Sequence, residues 1–170
     1  MWVFGYGSLM WDGWENARGC IRRARAELSG YRRVFNKPSI RNWGTEKCPC
    51  PTLNLVKADT ACCCGLAFEF PDYREQEILK YLTKREGRDF VLHKLSAQLE
   101  EGDKIEPLVF IYEGKNLIPS NGVSDIAELV LLASGTAGSC ISYVKGVADE
   151  LRRLGINDPA VSVLWQYLTP

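Results

Sequence analysis

The sequence has little of the residue type on which many catalytic and metal centres depend. His93 is the only histidine among 170 residues, and it stands beside Leu92 in a run typical of a strand. A catalytic triad, a histidine-activated thiol and a histidine-based metal site each need further partners that this run does not supply. We therefore interpret His93 as structural.

An excess of charge is also missing. Lys and Arg number 21, Asp and Glu number 21, and the formal net charge is zero. No global field then attracts a polyanion, so we expect no nucleic-acid partner.

Long apolar runs are absent as well. No segment approaches the roughly 20 apolar residues of a membrane-spanning helix, and residues 1–7 resemble neither the charged nor the apolar part of a signal peptide. We therefore expect no membrane partner and a cytoplasmic location. In that reducing compartment the seven cysteines, an odd number, are predicted to be thiols and not a disulfide framework.

The cysteine spacings do not form a recognised metal site. Cys48 and Cys50 flank a single proline, and Cys62 to Cys64 are consecutive, whereas zinc sites use pairs separated by roughly two to four residues. Burial in a strand is the simpler interpretation of Cys62 to Cys64. A thiol-dependent redox or metal protein is the alternative, which bound zinc or one unusually reactive thiol would support.

Two kinds of apolar pattern occur along the chain. Short β-prone runs dominate the first two thirds, and three stretches carry apolar residues at helical spacing. The order indicates a compact α+β fold, and the composition fits one domain over residues 1–170. The predicted strands are 3–6, 25–34, 52–57, 63–70, 90–98 and 106–112, and the predicted helices are 73–85, 124–134 and 142–154.

A long connection separates two of the predicted strands. Residues 36–51 include three prolines and a glycine among polar residues. A connection of this length in a small domain is more often a lid or a binding loop than a passive link. We interpret this segment as a candidate cover for a substrate site.

The strongest local motif follows the first predicted strand. The run Phe4-Gly5-Tyr6-Gly7-Ser8-Leu9-Met10-Trp11 places two glycines around a tyrosine. Bare backbone at a strand end can approach a ligand and direct N–H groups toward it. The alternative is a tight turn with apolar anchors. No third glycine and no helix follow, which excludes a dinucleotide-binding fingerprint.

Two side chains further along are candidates for a site. Glu86 follows the predicted helix 73–85 and precedes Gly87, which places it at a helix C-terminus, where the macrodipole disfavours a carboxylate. Its alternative interpretation is an ordinary surface glutamate. Tyr143 lies on the apolar face of the third predicted helix, and from its position alone it is a core tyrosine with its hydroxyl at the boundary.

Arginines near aromatic residues are the remaining candidates. Arg32, Arg33 and Arg41 lie close in sequence to tyrosine, phenylalanine or tryptophan. Guanidinium groups in such surroundings suit a small anionic ligand, which they bind by paired hydrogen bonds. Most arginines, however, are solvated surface groups.

Taken together, these motifs resemble the γ-glutamylcyclotransferase family, and its ChaC-type branch in particular. The resemblance rests on Trp-Val-Phe-Gly-Tyr-Gly-Ser-Leu-Met-Trp at Trp2 to Trp11, on Tyr-Leu-Thr-Lys-Arg-Glu-Gly at Tyr81 to Gly87, and on Tyr143. The three elements occur in the family's order and spacing. The resemblance extends from Trp2 to about Leu154.

The resemblance implies a fold, an activity and a site. The fold would be a small mixed β-barrel with flanking helices. The activity would release 5-oxoproline from a γ-glutamyl amide, with Glu86 as the catalytic acid/base and without metal or cofactor. The residues that would bind the small γ-glutamyl substrate are Tyr6, Gly7, Ser8, Leu9, Arg41 and Tyr143.

Substrate choice depends on a segment that departs from the ChaC-type pattern. ChaC-type proteins continue their Arg-Arg-Phe with an acidic residue, histidine and arginine, whereas this chain reads differently from Val34 to Gly44. We expect glutathione as the substrate, giving 5-oxoproline and Cys-Gly. The alternatives are other γ-glutamyl amino acids or amines, and a non-catalytic ligand-binding domain on the same fold.

Overall fold

The longest strands lie in the first half of the chain, and the α-helices begin at Glu75. The computed structural model describes residues 1–169. The strands are β1 (Trp2–Gly5), β2 (Arg22–Ser39), β3 (Cys50–Glu69), β4 (Phe90–Lys94), β5 (Ala97–Leu99), β6 (Lys104–Ile105), β7 (Leu108–Tyr112), β8 (Ser134–Gly135) and β9 (Gly138–Ser139). The helices are α1 (Glu75–Glu86), α2 (Val123–Leu132), α3 (Cys140–Arg153) and α4 (Pro159–Leu168).

Packing divides the described residues into two compact units. The first unit contains Met1–Arg32 and Lys57–Gly114. The second contains Arg33–Val56 and the described chain from Lys115 onward. Strands β2 and β3 contribute residues to both units, because each division falls inside a strand. That residues 1–170 behave as one cooperative domain stays a prediction.

The N-terminal strand lies inside a mixed sheet. The sheet has seven strands in the order β4-β7-β1-β3-β2-β5-β6. β1 is antiparallel to β3, with Val3 opposite Phe68, and parallel to β7, with Val3 opposite Leu108. Val3 and Phe4 are both buried, as expected for a strand that is covered on two faces. The prediction of an interior strand at the start of the chain is confirmed.

Two glycines let the backbone approach its neighbours closely at the end of β1. A Cβ atom on Gly65 of β3 would lie 2.4 Å from the carbonyl oxygen of Gly5. A Cβ atom on Gly5 would lie 3.1 Å from both Cβ of Leu9 and the ring of Phe68. Because Gly65 carries no side chain, the backbone at the end of β1 can lie directly against β3.

The helix α1 packs one apolar face within the first unit. Ile78 and Leu82, four residues apart, are fully buried, which is the spacing of one helix face. The helix ends at Glu86 because Gly87 adopts a φ of 81° and donates its N–H to the carbonyl of Thr83 at 3.1 Å. The predicted helix is confirmed, although its first residues form a short 3-10 turn at Asp72–Arg74.

The second unit is mostly helical. α3 buries an apolar face that includes Tyr143, Val147 and Leu151. Ser139 caps this helix by accepting a hydrogen bond from the N–H of Ser142 at 3.4 Å, and Gly155 follows its end with a φ of 67°. The predicted third helix is confirmed with an earlier start. None of the described helices has the length and apolar character needed to cross a bilayer.

A buried ion pair fixes the start of α4. Nη1 of Arg33 donates to Oδ2 of Asp158 at 2.9 Å, and the Arg33 side chain is 0% exposed. Asp158 also accepts a hydrogen bond from the N–H of Val161 at 3.2 Å, as a helix N-cap does. This helix is missing from the sequence predictions, although Asp158 followed by Pro159 is a helix-start signal.

Several predicted boundaries are wrong. The strands predicted at 52–57 and 63–70 are one continuous strand, β3, and the strand predicted at 90–98 is two strands, β4 and β5, that are not neighbours in the sheet. The extended backbone therefore continues through residues 58–62, which the prediction left between two strands. α2 begins at Val123 and ends at Leu132, so the helix predicted at 124–134 starts one residue earlier and ends two residues earlier. The connection predicted at 36–51 shrinks to residues 40–49.

The prediction that all seven cysteines are thiols is wrong. Cys50 and Cys140 form a disulfide with a Cα–Cα distance of 5.5 Å, and both residues lie in the second unit. They are 90 residues apart in sequence, so no local sequence motif predicts this disulfide. The other five cysteines are free thiols.

Candidate active site

Glu86 is the last residue of α1 and is held largely away from solvent. Its side chain is 17% exposed, and Oε1 lies 3.6 Å from Nε of Arg85. An ordinary surface glutamate would be far more exposed. The structure therefore excludes the surface interpretation and leaves a partly buried carboxylate beside a cation.

The glycine loop, residues 5–9, turns directly after β1. Ser8–Met10 form a 3-10 turn that follows Gly7, and glycine has no side chain with which to cap the turn. The indole N–H of Trp14 donates to the carbonyl of Leu9 at 3.1 Å and so holds the end of the loop in place. Within residues 1–169, the N–H groups of Gly7, Ser8 and Leu9 have no acceptor. Such groups at the start of a helical turn suit an oxyanion or a carboxylate.

Arg85 joins Glu86 to the glycine loop. Nη2 of Arg85 donates to Oγ of Ser8 at 3.0 Å and also to Oδ2 of Asp12. Nη1 donates to the hydroxyl of Tyr81 at 3.3 Å. Because its Nε lies near Glu86, one guanidinium connects the carboxylate to the loop within the first unit.

The charge of Arg85 is secure in this setting. Burial by itself would lower the pKa of Arg85, but the hydrogen bond to Asp12 and the negative charges of Asp12 and Glu86 outweigh it and raise the pKa above its ordinary value. The guanidinium therefore stays protonated at neutral pH.

Tyr6 contributes to the loop in a way that its sequence position does not indicate. Its hydroxyl donates to the carbonyl of Phe110 on β7 at 2.8 Å, and the residue is buried. The side chain therefore anchors the loop to the sheet. Contact of Tyr6 with a substrate through its backbone stays a prediction.

The other two candidates lie in the second unit. Tyr143 is buried, its hydroxyl accepts a hydrogen bond from the N–H of Leu53 at 3.1 Å, and its ring lies 5.6 Å from that of Trp43. Arg41 is exposed, and its carbonyl accepts a hydrogen bond from the N–H of Thr136 at 2.8 Å. The burial of Tyr143 on the apolar face of α3 agrees with the core interpretation, and its role in substrate binding stays a prediction.

The amino-acid sequence matches a known family over nearly its whole length. A family model described as "ChaC-like protein" matches residues 1–168. The chain belongs to the ChaC-like family. This confirms the resemblance that the motifs from Trp2 to Trp11 and from Tyr81 to Gly87 indicate.

Named relatives match almost the whole of this ChaC-like chain. "Gamma-glutamylcyclotransferase 2-3" of Arabidopsis thaliana is 30% identical over 185 residues, covering 96% of this chain and 86% of the relative. "Glutathione-specific gamma-glutamylcyclotransferase" of Escherichia coli is 28% identical over 169 residues, covering 96% of this chain and 71% of the relative.

A solved structure shares the fold. A yeast protein, described as a γ-glutamyl cyclotransferase specific to glutathione, superposes with a TM-score of 0.88 at 18% identity, covering 99% of this chain and 95% of the yeast chain. At this identity the likeness concerns the fold. It confirms the α+β fold with flanking helices that the resemblance implies.

Three site residues of the ChaC-like chain are missing from the sequence predictions, namely Asp12, Tyr81 and Arg85. One signal was available, because Tyr81 and Arg85 are four residues apart on α1 and therefore share a helix face. The contact of Arg85 with Ser8 spans 77 residues, and no local pattern indicates it.

One predicted ligand for an anionic group is wrong. Arg33 is fully buried and paired with Asp158, so its guanidinium is not available to a substrate carboxylate. Arg32 and Arg41 are exposed. Of these two, Arg41 is the residue that the prediction placed in the site.

Cys62 and Cys64 lack the lowered pKa of a reactive thiol. Cys63 is buried, whereas Cys62 is exposed and Cys64 half-buried, because alternate residues of a strand face opposite sides. Burial, with the charge of Glu27, raises the pKa of Cys62 and that of Cys64, the latter to about 12. Such thiols are protonated at neutral pH and are poor nucleophiles.

In the described part of the chain, no three His, Cys, Asp or Glu residues are arranged to hold a metal ion.

Proposed function

We propose that this ChaC-like chain is a γ-glutamylcyclotransferase that converts glutathione into 5-oxoproline and Cys-Gly, with Glu86 as its acid/base. The observation that carries the proposal is the cluster in the first unit. A partly buried carboxylate, Glu86, is joined through Arg85 to Ser8 of a loop in which the N–H groups of Gly7, Ser8 and Leu9 have no acceptor among the described residues. The relatives' names supply the reaction class.

The first chemical step needs a base. The α-amine of a γ-glutamyl group can reach its own γ-carbonyl and close a five-membered ring, so the attack is intramolecular. An α-amine has a pKa near 8 and is mostly protonated at neutral pH. Glu86 would take one proton from this ammonium group, and the freed nitrogen lone pair would then form the new C–N bond.

The second step needs an acid and an oxyanion site. As the C–N bond of the ring forms, the γ-carbonyl oxygen becomes negative, and the N–H groups of Gly7, Ser8 and Leu9 would stabilise it. Glu86, now protonated, would give its proton to the leaving amine as the old C–N bond breaks. The regenerated carboxylate would then take the second proton from the ring nitrogen, which leaves the neutral lactam of 5-oxoproline, and would pass that proton to the released amine. One carboxyl group thus serves every transfer, and such help is typically worth ~10²–10⁴ in rate.

The substrate-binding residues that we propose are unchanged from the sequence predictions. Tyr6, Gly7, Ser8 and Leu9 belong to the glycine loop, and Tyr143, a residue of the second unit, would also contact the substrate. Arg41 is exposed, and its guanidinium has no partner within residues 1–169, so it is free to pair with a carboxylate.

An assay of released 5-oxoproline tests the proposal. Purified protein is incubated separately with glutathione, γ-glutamyl-alanine and a γ-glutamyl-amine, and kcat/KM is compared. We expect glutathione to react best. Better turnover of another γ-glutamyl compound would replace the substrate and keep the reaction class. Binding without any 5-oxoproline would support the non-catalytic ligand-binding domain instead.

We also propose a cytoplasmic location. The five free thiols support it, since reducing compartments preserve thiols, whereas the Cys50–Cys140 disulfide is the feature that favours an oxidising one. Fractionation of cells that express the tagged protein should find it with a cytosolic marker, and enrichment in an oxidising compartment would overturn this location.

A further inference from the structure

The two proton transfers proposed for Glu86 leave the neighbouring arginine without a role. Arg85 is 19% exposed at its side chain, which is low for a residue that usually lies at the surface. A buried cation of this kind is retained only where its donors are satisfied. Its partners therefore indicate what it does.

The partners of Arg85 lie at both ends of one turn. Ser8 begins the 3-10 turn of the glycine loop and accepts from Nη2 of Arg85 at 3.0 Å. Asp12, which follows the turn, accepts from the same nitrogen. The backbone N–H of Asp12 donates in turn to the carbonyl of Ser8 at 3.3 Å. One guanidinium thus contacts the first residue of the turn and a residue that follows its end.

The other side of the guanidinium is braced by an aromatic group. The hydroxyl of Tyr81 accepts from Nη1 of Arg85 at 3.3 Å. The ring of Tyr81 is stacked with that of Trp14 at 5.8 Å and 11°, and it also carries the guanidinium of Arg18 at 4.0 Å. The indole of Trp14 also donates to the carbonyl of Leu9. Trp14 therefore contacts both the glycine loop and Tyr81, the residue that accepts from Arg85.

We propose that Arg85 is a positioning residue for the cyclisation, which it serves by holding the glycine loop and Glu86 in one fixed arrangement. This inference rests on the proposed function, because it assigns the base and the oxyanion donors as above. A planar fork of donors can reach Ser8, Asp12, Tyr81 and Glu86 at once, and a lysine ammonium cannot. Misplacement of a reacting group by about 1 Å costs on the order of 10²-fold in rate.

The kinetic test compares Arg85→Gln, Arg85→Lys and a matched arginine elsewhere in the first unit. Arg25 pairs with Glu100 at the surface at 2.9 Å, so Arg25→Gln removes the same charge far from the site. We expect kcat to fall ~10–100-fold in Arg85→Gln with a smaller change in KM. Arg85→Lys should recover part of this loss, and Arg25→Gln should match the wild type.

A double-mutant cycle with Ser8→Ala asks whether Arg85 acts through the loop. If it does, Arg85→Gln should cost less in kcat in the Ser8→Ala protein than in the wild type, because the shared contact is already gone. Full additivity of the two losses would overturn the assignment to Ser8.

Hydrogen exchange supplies a readout that does not depend on activity. In Arg85→Gln, the amides of Met10, Trp11 and Asp12, which donate to carbonyl groups of the turn, should exchange faster, whereas the amides of β1 should keep their wild-type rates. Arg25→Gln should change none of these rates. Faster exchange throughout the first unit would mean general destabilisation and would overturn a positioning role. Unchanged exchange at residues 10–12 would do the same.

The two proposals fail in different ways. A wild-type protein that releases no 5-oxoproline from any γ-glutamyl compound contradicts the proposed function. Wild-type exchange rates at residues 10–12 in Arg85→Gln contradict the positioning role by themselves, whether or not the wild-type protein is active.

Discussion

Replacement of Glu86 by glutamine tests the proposed mechanism most directly. Glutamine keeps the size of the side chain and its hydrogen-bonding shape but accepts no proton at neutral pH. We expect kcat to fall at least ~10²-fold, which corresponds to about 2.7 kcal/mol in the activation barrier. Substrate should still bind, since the glycine loop and Arg85 remain in place.

Stability should change little in the same variant. Arg85 keeps its hydrogen bonds to Ser8 and Asp12, and a carboxylate at a helix C-terminus opposes the helix dipole. Loss of the Arg85–Glu86 ion pair lowers the stability, and relief of the unfavourable dipole contact raises it. Because the two effects oppose each other, we expect a change below about 1 kcal/mol, or a Tm shift of less than about 3 °C. Activity and stability should therefore separate.

The assay measures 5-oxoproline release by Glu86→Gln alongside Glu75→Gln, an exposed glutamate in the first turn of the same helix. Glu75→Gln should retain wild-type kcat. If Glu86→Gln keeps more than about a tenth of wild-type kcat, well above the expected range, Glu86 is not the base and the mechanism is wrong.

Four further predictions concern stability and cofactors. Reduction of the Cys50–Cys140 disulfide, or its replacement by two serines, should lower stability by about 2–5 kcal/mol because it closes a 90-residue separation; an unchanged Tm would contradict this. Asp158→Asn should lower stability by about 3–5 kcal/mol by leaving Arg33 buried without its charged partner, whereas the exposed Asp149→Asn should stay within about 0.5 kcal/mol. Calorimetry should find a single unfolding transition, since β2 and β3 run through both units; two resolved transitions would mean two domains. A strong chelator should leave 5-oxoproline release unchanged, because the mechanism uses only a carboxyl group and backbone donors, and loss of activity that one divalent ion restores would refute it.

Local signals were sufficient for the elements that carry the site. The apolar run of β1 ends at Gly5, the apolar spacing of α1 ends at Gly87, and both boundaries follow from properties of single residues and their neighbours. The candidate base could be predicted for the same reason, since Glu86 is the last residue before that glycine. Family resemblance then supplied its role.

The contacts that organise these elements are long-range, and only the tertiary structure determined them. Arg85 meets Ser8 across 77 residues, Cys50 meets Cys140 across 90, and Arg33 meets Asp158 across 125. Sequence periodicity reports which face of an element is apolar, but it carries no information about which distant polar group satisfies a buried charge or thiol. For this chain, the amino-acid sequence alone determined the family, the strand-and-turn motif and the position of Glu86, whereas tertiary packing decided how Glu86 is buried, paired and joined to the glycine loop.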